Sequence, residues 1–464
     1  MTASPFDTVA AVSTPFGKGG VAVIRLSGDR AGEITDRVFF PADGKPVTAH
    51  PPRMALYGEV RDPDDRRVLD DALCTRFSAP HSFTGEDVCE ICCHGGLYVT
   101  QAVLELALSC GAQMAGAGEF TKRAYVNGKI TLSQAEAVGQ VIDASNDAQL
   151  RLSGAAARGA LTDKLLKIRE YMLDLITRSY AAIDYPDEDI EDNERNKMSD
   201  TLSVILTELY RLKNSYRASR AVSEGIKTAI VGKPNAGKSS LYNALCGEEL
   251  AIVTDIAGTT RDVIEHTALV GDVTLRLADT AGIRNTDDTV EQIGVTRAIK
   301  KLNEAEIVLC VFDGSEAESA QDYKIIEDVK GKCAVAIINK SDAEKRLSDG
   351  FITHLYENFQ YVCEISAKKA DGLEGLARVL NEMYELDKID ISNDAVIANA
   401  RQLSSVNLAL NKVNEAKTAL DLGETPDIIC FSLENALSEL DMIDARATSE
   451  EIVSEIFSRF CVGK

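Results

Sequence analysis

Short apolar runs, each closed by a polar or glycine-bearing turn, recur along the middle of the chain. Residues 226–231 (Ile-Lys-Thr-Ala-Ile-Val) read as a buried strand, and Leu241 to Leu245 resume the spacing of a helix. Residues 273–278, 333–338 and 361–365 repeat the strand signal, so this part predicts an α/β domain with a mainly parallel sheet. Upstream, 7–13, 20–27 and 88–94 also read as strands, mixed with turns, which predicts an α+β domain. The turn Pro15-Phe16-Gly17-Lys18-Gly19-Gly20 between the first two is either a plain β-hairpin or a site of close backbone approach. From Glu119 the period changes. Leu161, Leu165, Ile168, Met172 and Leu175 form one helical stripe, and Val204, Ile205, Leu209 and Leu212 continue the pattern. Helical spacing returns from Asn399 onward. There Thr448-Ser449-Glu450-Glu451 reads as a capping box opening a helix with Ile452, Val453, Ile456, Phe457 and Phe460 inward. The expected organisation is an N-terminal α+β domain (1–120), half a helical domain (121–222), an inserted α/β domain (223–386) and the other helical half (387–464).

The stretch Gly232-Lys233-Pro234-Asn235-Ala236-Gly237-Lys238-Ser239-Ser240 stands between a strand and a helix, the setting of a phosphate-binding loop. Its glycines let backbone N–H groups turn onto phosphate oxygens, and the helix N-terminus adds partial positive charge. Lys238 is placed to reach the terminal phosphates and the Ser239 hydroxyl to ligate Mg²⁺. Asp279-Thr280-Ala281-Gly282 ends the strand 273–278, where a carboxylate suits the Mg²⁺ shell and a glycine amide the γ-phosphate. Asn339-Lys340-Ser341-Asp342 ends the strand 333–338, and its Asp can accept both the ring N–H and the exocyclic NH₂ of guanine. Ser366-Ala367-Lys368 adds a backbone amide suited to the guanine carbonyl. Each motif alone is weak. Four in order at strand ends specify a Ras-like P-loop domain for GTP.

Composition narrows the setting. The length of 464 residues favours several domains. No apolar run approaches a membrane span, and residues 1–15 lack the pattern of a signal peptide, so a cytoplasmic protein without integral membrane association is expected. Eleven cysteines are then expected as reduced thiols. The cluster Cys89-Glu90-Ile91-Cys92-Cys93-His94 reads either as half a metal site or as thiols of a strand core; no second pair at zinc spacing follows it. A net charge of −23 opposes bulk electrostatic binding of RNA, so any nucleic-acid contact uses local patches or a partner's surface. The acidic block 184–189 reads as a solvated turn.

Where Ras-like domains place a water-orienting Gln after Asp-x-x-Gly, this chain has Ile283. Glu291, in the polar stretch 284–292, is either the group that positions water or one surface carboxylate among many. Asn235 either braces the loop or offers its amide oxygen beside the β- and γ-phosphates. With carbonyls of the hydroxyl-rich segment 253–262 it would then complete an oxygen cage for K⁺, while Thr260 is a candidate Mg²⁺ ligand.

Gly-Lys-Pro-Asn-Ala-Gly-Lys-Ser-Ser, Thr-Asp-Ile-Ala-Gly-Thr-Thr-Arg-Asp (254–262) and Asp-Thr-Ala-Gly-Ile-Arg (279–284) resemble the MnmE (TrmE) tRNA-modification GTPases. So do the flanks: Gly17-Lys18-Gly19-Gly20-Val21, Ser82-Phe83-Thr84-Gly85-Glu86-Asp87, Gly118-Glu119-Phe120-Thr121 with Lys122-Arg123-Ala124, and Phe460-Cys461-Val462-Gly463-Lys464. Ser341 and Val462 are mild departures from the family pattern. The resemblance implies a homodimer through N-terminal domains that bind 5-formyl- or 5,10-methylene-tetrahydrofolate, with the folate contacts on Arg25, Glu90 and Lys129 and with Lys464 nearby. It implies K⁺ ligands on Asn235 of the phosphate loop and on Thr254, Ile256 (backbone) and Thr259, the last three in a nucleotide-binding segment with Asp255, Ala257 and Gly258. It puts the catalytic acid on Glu291. It also implies a flavoprotein partner, MnmG, in a heterotetramer or larger complex, and modification of the wobble uridine of certain tRNAs. Cys461 matches the family's terminal cysteine, either a catalytic thiol or a spare tail thiol. Two other readings remain open. One is a ribosome-assembly GTPase switch without modification chemistry, which would carry a basic RNA-binding module. The other is a regulatory GTPase with no RNA role.

Overall fold

Alternation of apolar and polar residues builds the first sheet. In β2 (Val21–Ser27) Ala22, Ile24 and Leu26 point inward, and in β6 (Val88–His94) Cys89, Ile91 and Cys93 do the same. The computed structural model describes residues 7–184, 192–247, 266–277, 303–444, 456–458 and 460–463. The other strands here are β1 (Val9–Val12), β3 (Phe39–Pro41), β4 (Ala55–Arg61), β5 (Val68–Phe77) and β7 (Gln113–Met114). Their order is β3-β4-β5-β6-β2-β1-β7, antiparallel except for the parallel β1–β7 pair. Helices α1 (Ala31–Val38) and α2 (Leu97–Ser109) cover one face through Ile34, Val38, Val103, Leu104 and Ala107. The opposite face carries exposed Val21, Tyr57 and Leu73. Because Cys89 and Cys93 lie on the covered face and Cys92 on the other, the cysteine cluster is divided by the sheet. Burial pushes Cys89 and Cys93 up to about 11, the behaviour of inert core thiols. The Pro15–Gly20 turn closes the β1–β2 hairpin and also meets a second loop, Gly19 N donating to the Gly95 carbonyl at 3.0 Å.

Further helices follow: α3 (Glu119–Val126), α4 (Leu132–Asp143), α5 (Asp147–Ala157), α6 (Ala160–Asp184) and α7 (Asp192–Ser223). Leu161, Leu165, Ile168, Met172 and Leu175 are all buried in α6. In α7 the expected stripe needs one correction. Val204 is 45% exposed, and Leu202, with Ile205, Leu209 and Leu212, completes the buried face. Residues 202, 205, 209 and 212 keep the three-to-four step of one helix face, whereas 204 falls to the side.

The second sheet holds β8 (Ile226–Gly232), β9 (His266–Val270), β10 (Val273–Leu277), β11 (Ile307–Asp313), β12 (Ala334–Asn339) and β13 (Tyr361–Glu364). The order β13-β12-β11-β8-β10-β9 is parallel throughout except for the β9–β10 hairpin. Among the described residues, helices α8 (Lys238–Cys246), α9 (Ala320–Asp328), α10 (Asp349–Asn358) and α11 (Leu373–Met383) accompany this mainly parallel sheet. Two more helices, α12 (Ala400–Leu422) and α13 (Pro426–Asp441), return to the earlier ones. Lys417 of α12 donates to Ser199 of α7 at 3.0 Å, and Tyr180 of α6 to Glu434 of α13 at 2.6 Å. Contacts divide the chain into two compact units: Met1–Ile142 with Ala157–Leu165 and Leu437–Lys464, and Asp143–Ala156 with Leu166–Ala436. Among the described residues no helix is long and apolar enough to cross a membrane.

Candidate nucleotide site and an N-terminal polar cluster

β8 is buried between β10 and β11, so its C-terminal end delivers the glycine-rich loop to the edge of the sheet. Leu241 and Leu245 fasten α8 to the core beneath. Gly237, the residue before α8, has φ +96, and a Cβ there would collide with the Asn339 amide, so only glycine fits. Asn235 also has a left-handed backbone, φ 62, and is exposed at the tip of the loop, while Ala236 is fully buried. Ser239 and Ser240 are exposed on the first turn of α8.

Lys238 folds back. Its Nζ donates to the carbonyls of Gly232 (2.9 Å) and Lys233 (2.8 Å), and burial lowers its pKa. Among the described residues this ammonium is held by backbone carbonyls, beside the N-terminus of α8, an arrangement that fits the phosphates of a nucleotide. With them bound, the exposed Ser239 hydroxyl would be available to ligate Mg²⁺, which would neutralise phosphate charge.

Asn339 joins this loop to the segment Ser366-Ala367-Lys368. It is 2% exposed; its Nδ2 donates to the Ala236 carbonyl at 2.9 Å and its Oδ1 accepts the Ala367 N–H at 3.0 Å. Asp342 accepts the Ser366 hydroxyl at 2.7 Å, and that bond holds its carboxyl below the ordinary value. It therefore stays ionised, as a partner for two N–H groups of guanine must. Lys368 is exposed at the end of the same segment. Lys340, with φ 65, reaches Asp313 at the end of β11. Burial opposes ionisation of Asp313, but the Lys340 ammonium and two donors from Ser315 outweigh it, and its pKa is lowered.

In the N-terminal unit, Arg25 and Glu90 stand opposite each other across β2 and β6 and pair at 2.8 Å, with Arg25 lying 5.4 Å over the Phe120 ring. Lys129 Nζ donates to the Pro80 carbonyl at 2.8 Å, beside a groove of about 410 Å³ bounded by Tyr125, Thr131, Gln134 and Asp444. Cys461 is exposed, and its carbonyl accepts Gly118 N at 3.3 Å. Val462 pairs with Ala117, and the Ser13 hydroxyl donates to the Gly463 carbonyl at 2.9 Å.

Thr254, Asp255, Ile256, Ala257, Gly258, Thr259, Thr260, Asp279, Thr280, Ala281, Gly282, Glu291 and Lys464 lie outside the described residues, as do the acidic block from residue 185 and the 448–451 capping box. Sequence reasoning missed three groups. Asp313 carried a signal, a carboxylate ending an otherwise wholly apolar strand. Lys233 and Asp322 pair inside the fold at 3.3 Å, a contact that no local spacing announces. Buried Arg123 bonds Glu86 and Glu119, and Glu86 accepts the Ser27 hydroxyl, so two of the flanking motifs meet in one polar cluster.

Two family profiles match: "GTP-binding protein TrmE N-terminus" over residues 8–129 and "MnmE helical domain" over residues 132–461. The tRNA modification GTPase MnmE of Thermoanaerobacter sp. (strain X514) is 39% identical over 459 residues, covering 99% of this chain and 100% of that protein. The protein of the same name from Carboxydothermus hydrogenoformans is 40% identical over 467 residues, covering 99% of each. Among solved structures, an Era variant from Aquifex aeolicus bound to GDP and aluminium fluoride aligns with 40% of this chain and 65% of its own. Its identity is 25% and its TM-score 0.26.

Proposed function

The chain belongs to the MnmE family of tRNA modification GTPases, and we propose that it is a K⁺-stimulated GTP hydrolase acting in wobble-uridine modification. The observation that carries this reading is that the match runs along 99% of the chain rather than along the G domain alone. A ribosome-assembly switch would share only the nucleotide motifs. In this reading the protein works with the flavoprotein MnmG and installs an aminomethyl or carboxymethylaminomethyl group on certain tRNAs. The one-carbon unit comes from 5-formyl- or 5,10-methylene-tetrahydrofolate.

The chain's own residues divide the work. The 232–240 loop and Lys238 hold the phosphates, Asp342 reads guanine, and Asn339 keeps the two in register. Asn235, exposed with a left-handed backbone, supports the role of cation ligand alongside Thr254, Ile256 and Thr259. The cation would supply the positive charge that an arginine finger supplies elsewhere. Glu291 positions the water. Arg25 and Glu90, adjacent on one sheet face, suit a folate: the guanidinium for its glutamate carboxylates, the carboxylate for pterin N–H donors. Lys129 and Lys464 complete that set, and Cys461 is a nucleophile or base for the modification. The protein is a cytoplasmic homodimer through its N-terminal domains.

GTP turnover of the purified chain in KCl and in NaCl at equal ionic strength, with 5-formyltetrahydrofolate binding on the same sample, tests the reading. Turnover several-fold faster in KCl, with folate bound, is the expected result. Equal rates in the two salts would remove the cation role, and absent folate binding would move weight to a switch without modification chemistry.

A further inference from the structure

The geometry points to Lys233 as a positioning residue for the phosphate-binding loop, fastened to helix α9 rather than to the loop itself. Lys233 is only 9% exposed, and its Nζ lies 3.3 Å from Asp322 Oδ2 and 3.5 Å from Glu316 Oε2. Burying an ammonium is costly unless carboxylates meet it, so the side chain is confined to this slot. Asp322 is itself held. It is 1% exposed, it is the third residue of α9, and its Oδ2 also accepts the N–H and the hydroxyl of Ser319 at 2.8 Å each, in a capping box. Its other oxygen has no hydrogen-bond partner among the described residues, which leaves the Lys233 ammonium as the cation closest to that buried charge.

What the anchor fixes is the backbone of the same residue. The Lys233 carbonyl accepts both the Lys238 ammonium, at 2.8 Å, and the Ala236 N–H, at 3.3 Å. Its side chain thus ties to α9 the carbonyl that stores the phosphate-reaching lysine and closes the turn. With the tie in place, Lys238 exchanges carbonyls for phosphate oxygens over a fixed short path. Without it, the turn and the stored ammonium lose their common reference, and nucleotide binding must order them first.

The inference rests on the nucleotide assignment, and GDP is the suitable probe because its binding needs neither turnover nor a partner. Fluorescent GDP is titrated, with Mg²⁺, into the full chain, Lys233→Met, and Lys233→Met/Asp322→Asn, and thermal unfolding is followed for each. The single variant strands the Asp322 charge, so it is expected to unfold at lower temperature and to bind GDP about tenfold more weakly. The double variant removes that charge while keeping an acceptor for Ser319. It is expected to recover its unfolding temperature but not its affinity, a split that a purely structural ion pair would not produce. Affinity in the double variant equal to that of the unaltered chain would overturn the inference. No GDP binding by the unaltered chain would overturn the nucleotide assignment beneath it.

Discussion

Asn339 holds two loops at once, because one amide side chain satisfies the Ala236 carbonyl of the glycine-rich loop and the Ala367 N–H of the segment after β13. Asn339→Ala strands both buried groups, a cost of about 2–4 kcal/mol. It is expected to lower the urea midpoint and to weaken GTP and GDP alike; unchanged nucleotide affinity would show that the two loops hold their spacing without it. Asp313 makes a pH prediction. Its folded pKa is lowered from 3.8, so the stability it contributes is full above that value and is lost as pH falls through the lowered one. Asp313→Asn should therefore destabilise the protein at pH 7 by more than at pH 3, as read from urea unfolding at both; an equal loss would mean the carboxylate's charge contributes nothing. At this scale the sequence was legible where chemistry sits in local order. Asn339-Lys340-Ser341-Asp342 ends its strand as expected, but the Lys340–Asp313 and Lys233–Asp322 pairs join residues 27 and 89 positions apart.

Among elements, strands β2, β6, β8 and β12 could be read because each is an apolar run or a clean alternation between turns. β4 and β5 could not. Exposed Tyr57 and Leu73 lie on the face of the sheet away from its helices, so large apolar residues appear on both sides and the period-two signal blurs. Helix α7 shows the limit of counting apolar residues without phase, since Val204 and Ile205 are neighbours in sequence but only Ile205 is buried. Leu209→Ala, at a site with no exposure, should cost about 2–5 kcal/mol. Val204→Ser should change stability by less than about 0.5 kcal/mol. Guanidinium unfolding of the two variants checks this, and equal losses would refute the assigned phase.

At the scale of the molecule, the charge of −23 opposes binding of RNA by bulk electrostatics. The unit that begins the chain also contains residues near its other end. Gly463, with φ +99, lies so close to the Val12 carbonyl that a side chain would collide with it. Gly463→Ala is expected to loosen Phe460 to Gly463 from β1 and to speed proteolysis there; an unchanged digestion pattern would show that the contact tolerates displacement. Ser13 and Gly463 are 450 positions apart. A ribosome adding about 5–20 residues per second takes roughly 20–90 s to cover that span. For that time the first hairpin is made but not sealed. A nascent N-terminal sheet thus waits, without its contacts to Val462 and Gly463, through the synthesis of the whole GTP-binding domain.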